Sequence, residues 1–346
     1  MPELPEVHTT ATILNKLIKG LVISRVWSGY NSVFHKGKNN IKNTTYFEGF
    51  KKNVVGRKIL GVSRRGKNVL ISLSGDKTIL VHMKMTGHLL YGMYRRSSNN
   101  QTLPIRLANR GSSILYNKIG TNSKQNPNSK TQTKNKKGWE REMWRPDENE
   151  GEALKDPFNR FIRLVFSLSN GKHLALSDVR KFAKVCLLPT KTLAESEDLK
   201  ALGPEPLDKS FGLETFIERL LLRPKAKIKQ ALLDQTLIAG IGNIYSDEML
   251  WLSGIHPLSV VSKIPREKFT RLFTAMKTVL RKGIDFRGDS TSDYRNPNGE
   301  RGGFQHKHSA YQQTGKPCPK RDGGTIKRII VGARSAHFCT KHQQIF

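Results

Sequence analysis

Apolar residues recur with two different periods along the first ninety positions. A spacing of three and four runs through Val7 to Leu17 and predicts an amphipathic helix. Short alternating runs rich in β-branched residues follow, LVISRVW, KILGVS, NVLISLSG and TILVHMKMTG, each bounded by glycine or charge. They predict a mostly antiparallel β domain behind a leading helix. Alternation returns in FIRLVFSLSNGKHLALSD, where SNG turns one strand into the next, and it ends near CLLPT. Lys191 to Lys209 is polar and turn-rich (LGPEPLD), which suits a domain boundary. Beyond it FGLETFIERLLL, KAKIKQALLDQ, NIYSDEMLWLSG and REKFTRLFTAMKTVLRKG space their apolar residues for helices. A helical bundle is therefore expected as a second domain.

Two stretches follow neither period. Arg95 to Trp139 holds ten Lys/Arg and no Asp or Glu, with only SSILY able to pack, and is expected to be a largely disordered basic insertion. The loop DFRGDSTSDYRNPNGERGGF leads into a short basic tail carrying two of the three cysteines.

Charge narrows the partner. Sixty Lys+Arg against 28 Asp+Glu leave a net +32 over 346 residues, a field that attracts polyanions. Nucleic acid is the expected partner. An anionic membrane is the rival, yet no apolar run approaches the roughly 18 to 20 residues of a span, and no signal peptide leads the chain. Cys186, Cys318 and Cys339 are too few for a disulfide framework and suit a reducing, intracellular compartment.

Two motifs carry chemistry. In PKAKIKQALLDQTLIAGIGNIYSDEMLWLSGIHP the glycines of LIAGIG permit a tight turn, so that amides at the second helix's start can face a phosphate. Asn243 sits at that start and Lys229 on the preceding helix; an ordinary helical hairpin is the plainer alternative. The opening MPELPEV crowds Pro2, Glu3, Pro5 and Glu6 at a terminus that would by itself read as rigid and inert. Together these segments, more than 200 residues apart, resemble the formamidopyrimidine-DNA glycosylase family.

The resemblance implies an α+β protein: an N-terminal antiparallel β-sandwich with flanking helices over 1–192, interrupted by the 95–155 insertion; a helix-two-turns-helix domain over 205–286; a lesion-recognition loop over 287–305; and a β-hairpin finger over 310–346. It implies removal of Met1 and attack by the Pro2 amine on C1′ of a damaged nucleotide. An α-amino pKa of about 7.7 to 8.0, against about 10.4 for lysine, leaves part of that amine neutral. Glu3 would shuttle protons. Lys67 in SRRGKNVLIS matches the lysine that contacts a phosphate and assists catalysis. Met85 matches the wedge that enters the stack; Arg180 and Phe182 in DVRKFAK match residues facing the orphaned cytosine, and Lys181 belongs to the same DNA-binding surface. Met85 and Phe182 equally suit core packing. Ser290 and Ser292 fall in the recognition loop, Ser292 where several relatives carry lysine. Arg334 matches the phosphate-gripping arginine of the finger.

The tail departs from the family's two CxxC pairs, because Arg321 stands where a cysteine is expected. Cys318, Asp322, Cys339 and His342 could still hold Zn2+; a metal-free hairpin is the alternative. The implied activity is excision of oxidised purines, 8-oxoguanine and formamidopyrimidines, from double-stranded DNA, followed by β/δ elimination at the abasic site. An endonuclease VIII-like enzyme for oxidised pyrimidines and a non-catalytic nucleic-acid binder are the alternatives. A monomer is expected, cytoplasmic and nucleoid-associated in a bacterial cell.

Overall fold

In the leading helix α1 (Leu4–Ile18) the stripe Val7, Ala11, Leu14 and Ile18 faces one hydrophobic core while Leu4 faces another. The helix begins where it does because Pro5 occupies its first turn and the Glu6 carboxylate reaches back to the Glu3 amide at 2.7 Å. This computed structural model describes residues 1–30, 32–97 and 143–346. Most of the expected basic insertion, 98–142, lies outside the described residues.

The alternating runs become β1 (Ile23–Ser28), β2 (Ile59–Arg65), β3 (Asn68–Leu73), β4 (Lys77–His82) and β5 (His88–Gly92), with β6 (Tyr94–Ser97) and β7 (Met143–Pro146) forming a two-stranded sheet. They continue as β8 (Ile162–Leu168), β9 (His173–Ser177) and β10 (Lys184–Pro189). Two four-stranded antiparallel sheets result, ordered β1-β8-β9-β5 and β10-β4-β3-β2. Ile71, Ile79, Val81, Leu89, Phe166 and Leu176 from the two sheets share one core with α1, the expected β-sandwich.

A helix absent from the expected elements, α2 (Thr44–Val54), buries Phe50 and Val54 against the sandwich. Residues 143–155, assigned to the disordered insertion, are instead ordered: Leu154 is buried, and Glu150 accepts the Met93 amide at 2.5 Å. Glu150 and Leu154 crowd Gly92, so the return of the chain is built into the sheet edge.

Helices α3 (Leu213–Leu221), α4 (Ile228–Leu233), α5 (Asn243–Ser253) and α6 (Arg266–Asp285) enclose the second core around Phe216, Leu232, Tyr245, Met249, Leu272 and Met276. Among the described residues no helix is long and apolar enough to cross a membrane. The linker is structural too: Glu205 accepts the Gly66 amide at 2.6 Å and ion-pairs with Arg64 and Arg65, bracing the turn that carries Lys67. The finger is β11 (Ile326–Val331) and β12 (Arg334–Cys339), reversed at Gly332 and Ala333, both with positive φ.

Candidate active site and metal centre

Packing of α1 across both cores leaves the first residues of the chain at their junction. Leu4 N–H donates to the Gly240 carbonyl at 3.0 Å, and Gly240 holds φ +91° with Leu4 where a Cβ would go. Glu3 is nearly inaccessible, and its two carboxylate oxygens accept from the Ile244 and Tyr245 amides at 3.0 and 3.4 Å. Those are free donors of the first turn of α5, so the carboxylate caps a helix from another core. Gly242 is required beside it, since a Cβ there would strike the Glu3 carboxyl.

A cavity of about 350 Å³ opens on this junction. Pro2, Glu3, Lys67, Met85, Asn243 and Arg334 all line it, joined by Glu6, Gln235, Ser292 and Tyr311. Pro2 is buried and Met1 half-buried, and both lie in the cavity wall. Lys67 donates to the Ile241 carbonyl at 2.8 Å; burial pushes its ammonium below the usual lysine range, opposed by Glu3 and Glu6. Burial pushes the Glu3 carboxyl up, opposed by Lys67 and the Ile244 amide. The geometry thus places an amine terminus, a carboxyl inclined to hold a proton, and two cations around one cavity.

Arg180, Lys181 and Phe182 stand exposed on the loop between β9 and β10, the Arg180 guanidinium 4.6 Å above the Phe182 ring. Phe182 is 48 % exposed and is not a core residue. Ser292 is exposed beside the cavity, whereas Ser290 is fully buried, donating to the Tyr294 carbonyl at 2.8 Å and accepting the Gly302 amide at 2.9 Å. Ser290 therefore holds the loop after α6 together from within.

Lys229 corrects the expectation most clearly. It is completely buried, and its three protons are spent on the Asn243 carbonyl at 3.0 Å, the Ser246 hydroxyl at 2.7 Å and the Asp247 carboxylate at 2.6 Å. No donor remains for a phosphate. The other Asp247 oxygen accepts the His337 amide at 3.0 Å and lies 2.8 Å from His337 Nδ1. Lys229 thus links α4 to α5, and through Asp247 to the strand that begins with Arg334.

Glu6 is the acid that sequence reasoning passed over, although its position three residues after Glu3 marks a capping box. Besides the Glu3 amide it accepts the Tyr245 hydroxyl at 2.5 Å and the Asp289 amide at 2.7 Å. Burial, then the Glu3 charge, push its pKa up to about 7. It fastens the terminus to the base of the loop that follows α6.

In the finger, single donor atoms from Cys318, Asp322, Cys339 and His342 lie within 4.8 Å of one another and form a group able to hold a metal ion. His342 Nε2 sits 2.9 Å from the Trp251 carbonyl, which fixes Nε2 as the protonated nitrogen and turns Nδ1 toward Asp322 and Cys318. The Gly324 amide holds the Asp322 carboxyl down at about 2, so that ligand is an anion at neutral pH.

The family model "Formamidopyrimidine-DNA glycosylase N-terminal domain" matches residues 1–185, and "Formamidopyrimidine-DNA glycosylase H2TH domain" matches 202–295. The chain belongs to the formamidopyrimidine-DNA glycosylase family. Similar proteins of that name include those of Pelotomaculum thermopropionicum, 32% identical over 345 residues and 100% of both chains, and Herpetosiphon aurantiacus, 33% identical over 98% of both. The fold matches Lactococcus lactis Fpg in complex with DNA containing an abasic site, at TM-score 0.72 and 28% identity over 99% of both chains. A mutant of that protein in complex with Fapy-dG-containing DNA matches at the same TM-score and identity over 99% of this chain and 100% of that one.

Two outcomes are expected of this glycosylase scaffold. Asp247→Ala strands the Lys229 ammonium in the core and should cost about 3–5 kcal/mol in urea unfolding; a loss under about 1 kcal/mol would mean that Lys229 reaches solvent. Glu6 holds its proton more tightly folded than unfolded, because its folded pKa of about 7 exceeds the ordinary 4.5. Its stabilisation is complete below 4.5 and disappears as pH rises through 7. Glu6→Gln should therefore flatten the stability curve between about pH 5 and 8, and an unaltered slope would reject the shift.

Proposed function

We propose that this chain, a DNA-repair glycosylase of the formamidopyrimidine family, removes oxidised purines from duplex DNA and cleaves the strand through its Pro2 amine. The observation that carries the reading is the convergence of Pro2, Glu3 and Lys67 on one cavity rimmed by Arg334 and Asn243. With Met1 removed, the Pro2 nitrogen would become a secondary amine facing that space. Its lone pair attacks C1′, and the bond from C1′ to the damaged base breaks with those electrons leaving on the base. Burial favours the protonated Glu3 carboxyl, which suits proton delivery to the departing base or to the ring oxygen. The C1′–O4′ bond then breaks with its electrons and a proton going to the ring oxygen, the amine loses its proton, and the nitrogen lone pair forms an iminium that makes the C2′ hydrogen acidic. Loss of that proton expels the 3′ phosphate, and a second elimination, with loss of the C4′ proton, expels the 5′ phosphate. Lys67 and Arg334 supply positive charge where phosphates would lie.

The Phe182 and Met85 side chains, carried on neighbouring loops, suit filling the space that an extruded nucleotide leaves, and Arg180 suits contact with the base opposite. For the finger, two thiolates, a carboxylate and an imidazole match the donor chemistry of zinc. A zinc ion held by Cys318, Asp322, Cys339 and His342 would cross-link the two ends of the hairpin and keep Arg334 presented at its tip.

Borohydride reduction during reaction should trap one covalent complex through the peptide beginning at Pro2. Pro2→Gly, or a chain retaining Met1, should lose strand cleavage by at least roughly a hundredfold while duplex affinity changes far less. Equal loss of both would remove Pro2 as nucleophile. Metal analysis of the purified protein should find one zinc per chain, lost in Asp322→Ala together with a lower melting temperature. Protein free of metal whose melting is indifferent to added zinc would establish the metal-free hairpin.

A further inference from the structure

The sandwich switches sheets twice at one edge. Strand β4 crosses to β5 through residues 83–87, and β9 crosses to β10 through 178–183; β4 pairs with β10 and β5 with β9, so the two corners run side by side. Each corner places a lysine in the left-handed region, Lys84 at φ +55° just before Met85 and Lys181 at φ +57° between Arg180 and Phe182. Such backbone costs free energy and persists where its surroundings over-determine it.

The surroundings here converge on one carboxylate. Asp178 is fully buried, and its Oδ1 accepts the Thr86 hydroxyl at 2.6 Å. Its Oδ2 accepts the Ala183 amide at 2.9 Å and the Tyr30 hydroxyl at 3.1 Å. The Thr86 oxygen in turn accepts the Arg180 amide at 3.1 Å. The Asp178 backbone is pinned as well, its amide donating to the Phe161 carbonyl at 2.9 Å and its carbonyl accepting from Arg163 Nε at 3.2 Å. A buried acceptor with three donors on it is a fixed point.

We propose that Asp178 is a positioning residue that makes the two corners a single two-pronged unit, so that Met85 and the Arg180–Phe182 pair enter a duplex together. This rests on the reading of those three side chains as the ones that enter DNA. Asp178 touches no substrate; it acts through Thr86 and Ala183. Loss of the link leaves each corner free to relax its left-handed lysine, and the prongs lose their mutual spacing.

The test compares two reactions of the full-length enzyme under single turnover. One is base excision from an 8-oxoguanine duplex; the other is strand cleavage at a preformed abasic site in single-stranded DNA, which has neither a stack to enter nor an opposite base. Asp178→Asn places a donor against existing donors, and Thr86→Val deletes the bridging hydroxyl without changing shape. Both should lower duplex excision roughly tenfold or more and leave single-stranded cleavage within about twofold, and Thr86→Ser should restore the duplex rate. The preference for cytosine opposite the lesion should narrow in the same two variants. Equal loss on both substrates, or no loss on either, would overturn the positioning role. Met85→Ala separates the two layers of argument. If Met85→Ala lowers duplex excision but Asp178→Asn does not, only the coupling fails; if Met85→Ala itself has no effect, the underlying wedge reading fails and the proposal with it.

Discussion

The carboxylate of Glu3, seated on the first amides of α5, is the interaction on which the site depends. It joins the third residue of the chain to a helix more than 200 residues later, and it explains local choices that otherwise look arbitrary. Gly242 must lack a side chain because the carboxylate fills that space; Gly240 must turn left-handed because Leu4 packs against it. Burial then does chemical work. The same enclosure that fixes the Glu3 geometry raises its proton affinity and lowers that of Lys67, each shift opposed by the charge of the other.

Around this contact the two cores are fastened by polar links. Glu6 ties α1 to Tyr245 and Asp289, Glu205 ties the Lys67 turn to the linker, and Lys229 with Asp247 ties the helix pair to the finger. Each link ends at a group lining the cavity or at a strand that carries one. A buried ion pair adds little net stability but is specific in geometry, and here it anchors His337 on the strand that also carries Arg334.

Much of this was legible in the sequence because period and motif act locally. The alternation in NVLISLSG and the three-four spacing in REKFTRLFTAMKTVLRKG became β3 and α6 with small shifts at their ends. Helix α2 was missed although Tyr46, Phe47, Phe50 and Val54 have helical spacing, since Gly49 and polar neighbours dilute a short stripe. The misplacement of Lys229 has a physical origin. Spacing places a polar residue on an element, but burial depends on partners remote in sequence: Asp247 takes one proton of Lys229, and His337, across the finger, hydrogen-bonds the other Asp247 oxygen. The four finger residues that could hold a metal ion were legible because their spacing brings their donor atoms within 4.8 Å of one another.

The cavity draws on positions 2, 3, 67, 243 and 334, so nothing shorter than nearly the whole polypeptide can enclose it. A nascent chain emerging from the ribosome carries Glu3 from the outset yet has no helix on which to seat it and no finger to complete the rim. Chemical competence therefore arrives late in biosynthesis, with the closing β-hairpin, and long-range assembly of this kind is intrinsically slow. Truncation near the carboxyl end would open a cavity whose opposite wall is the amino terminus.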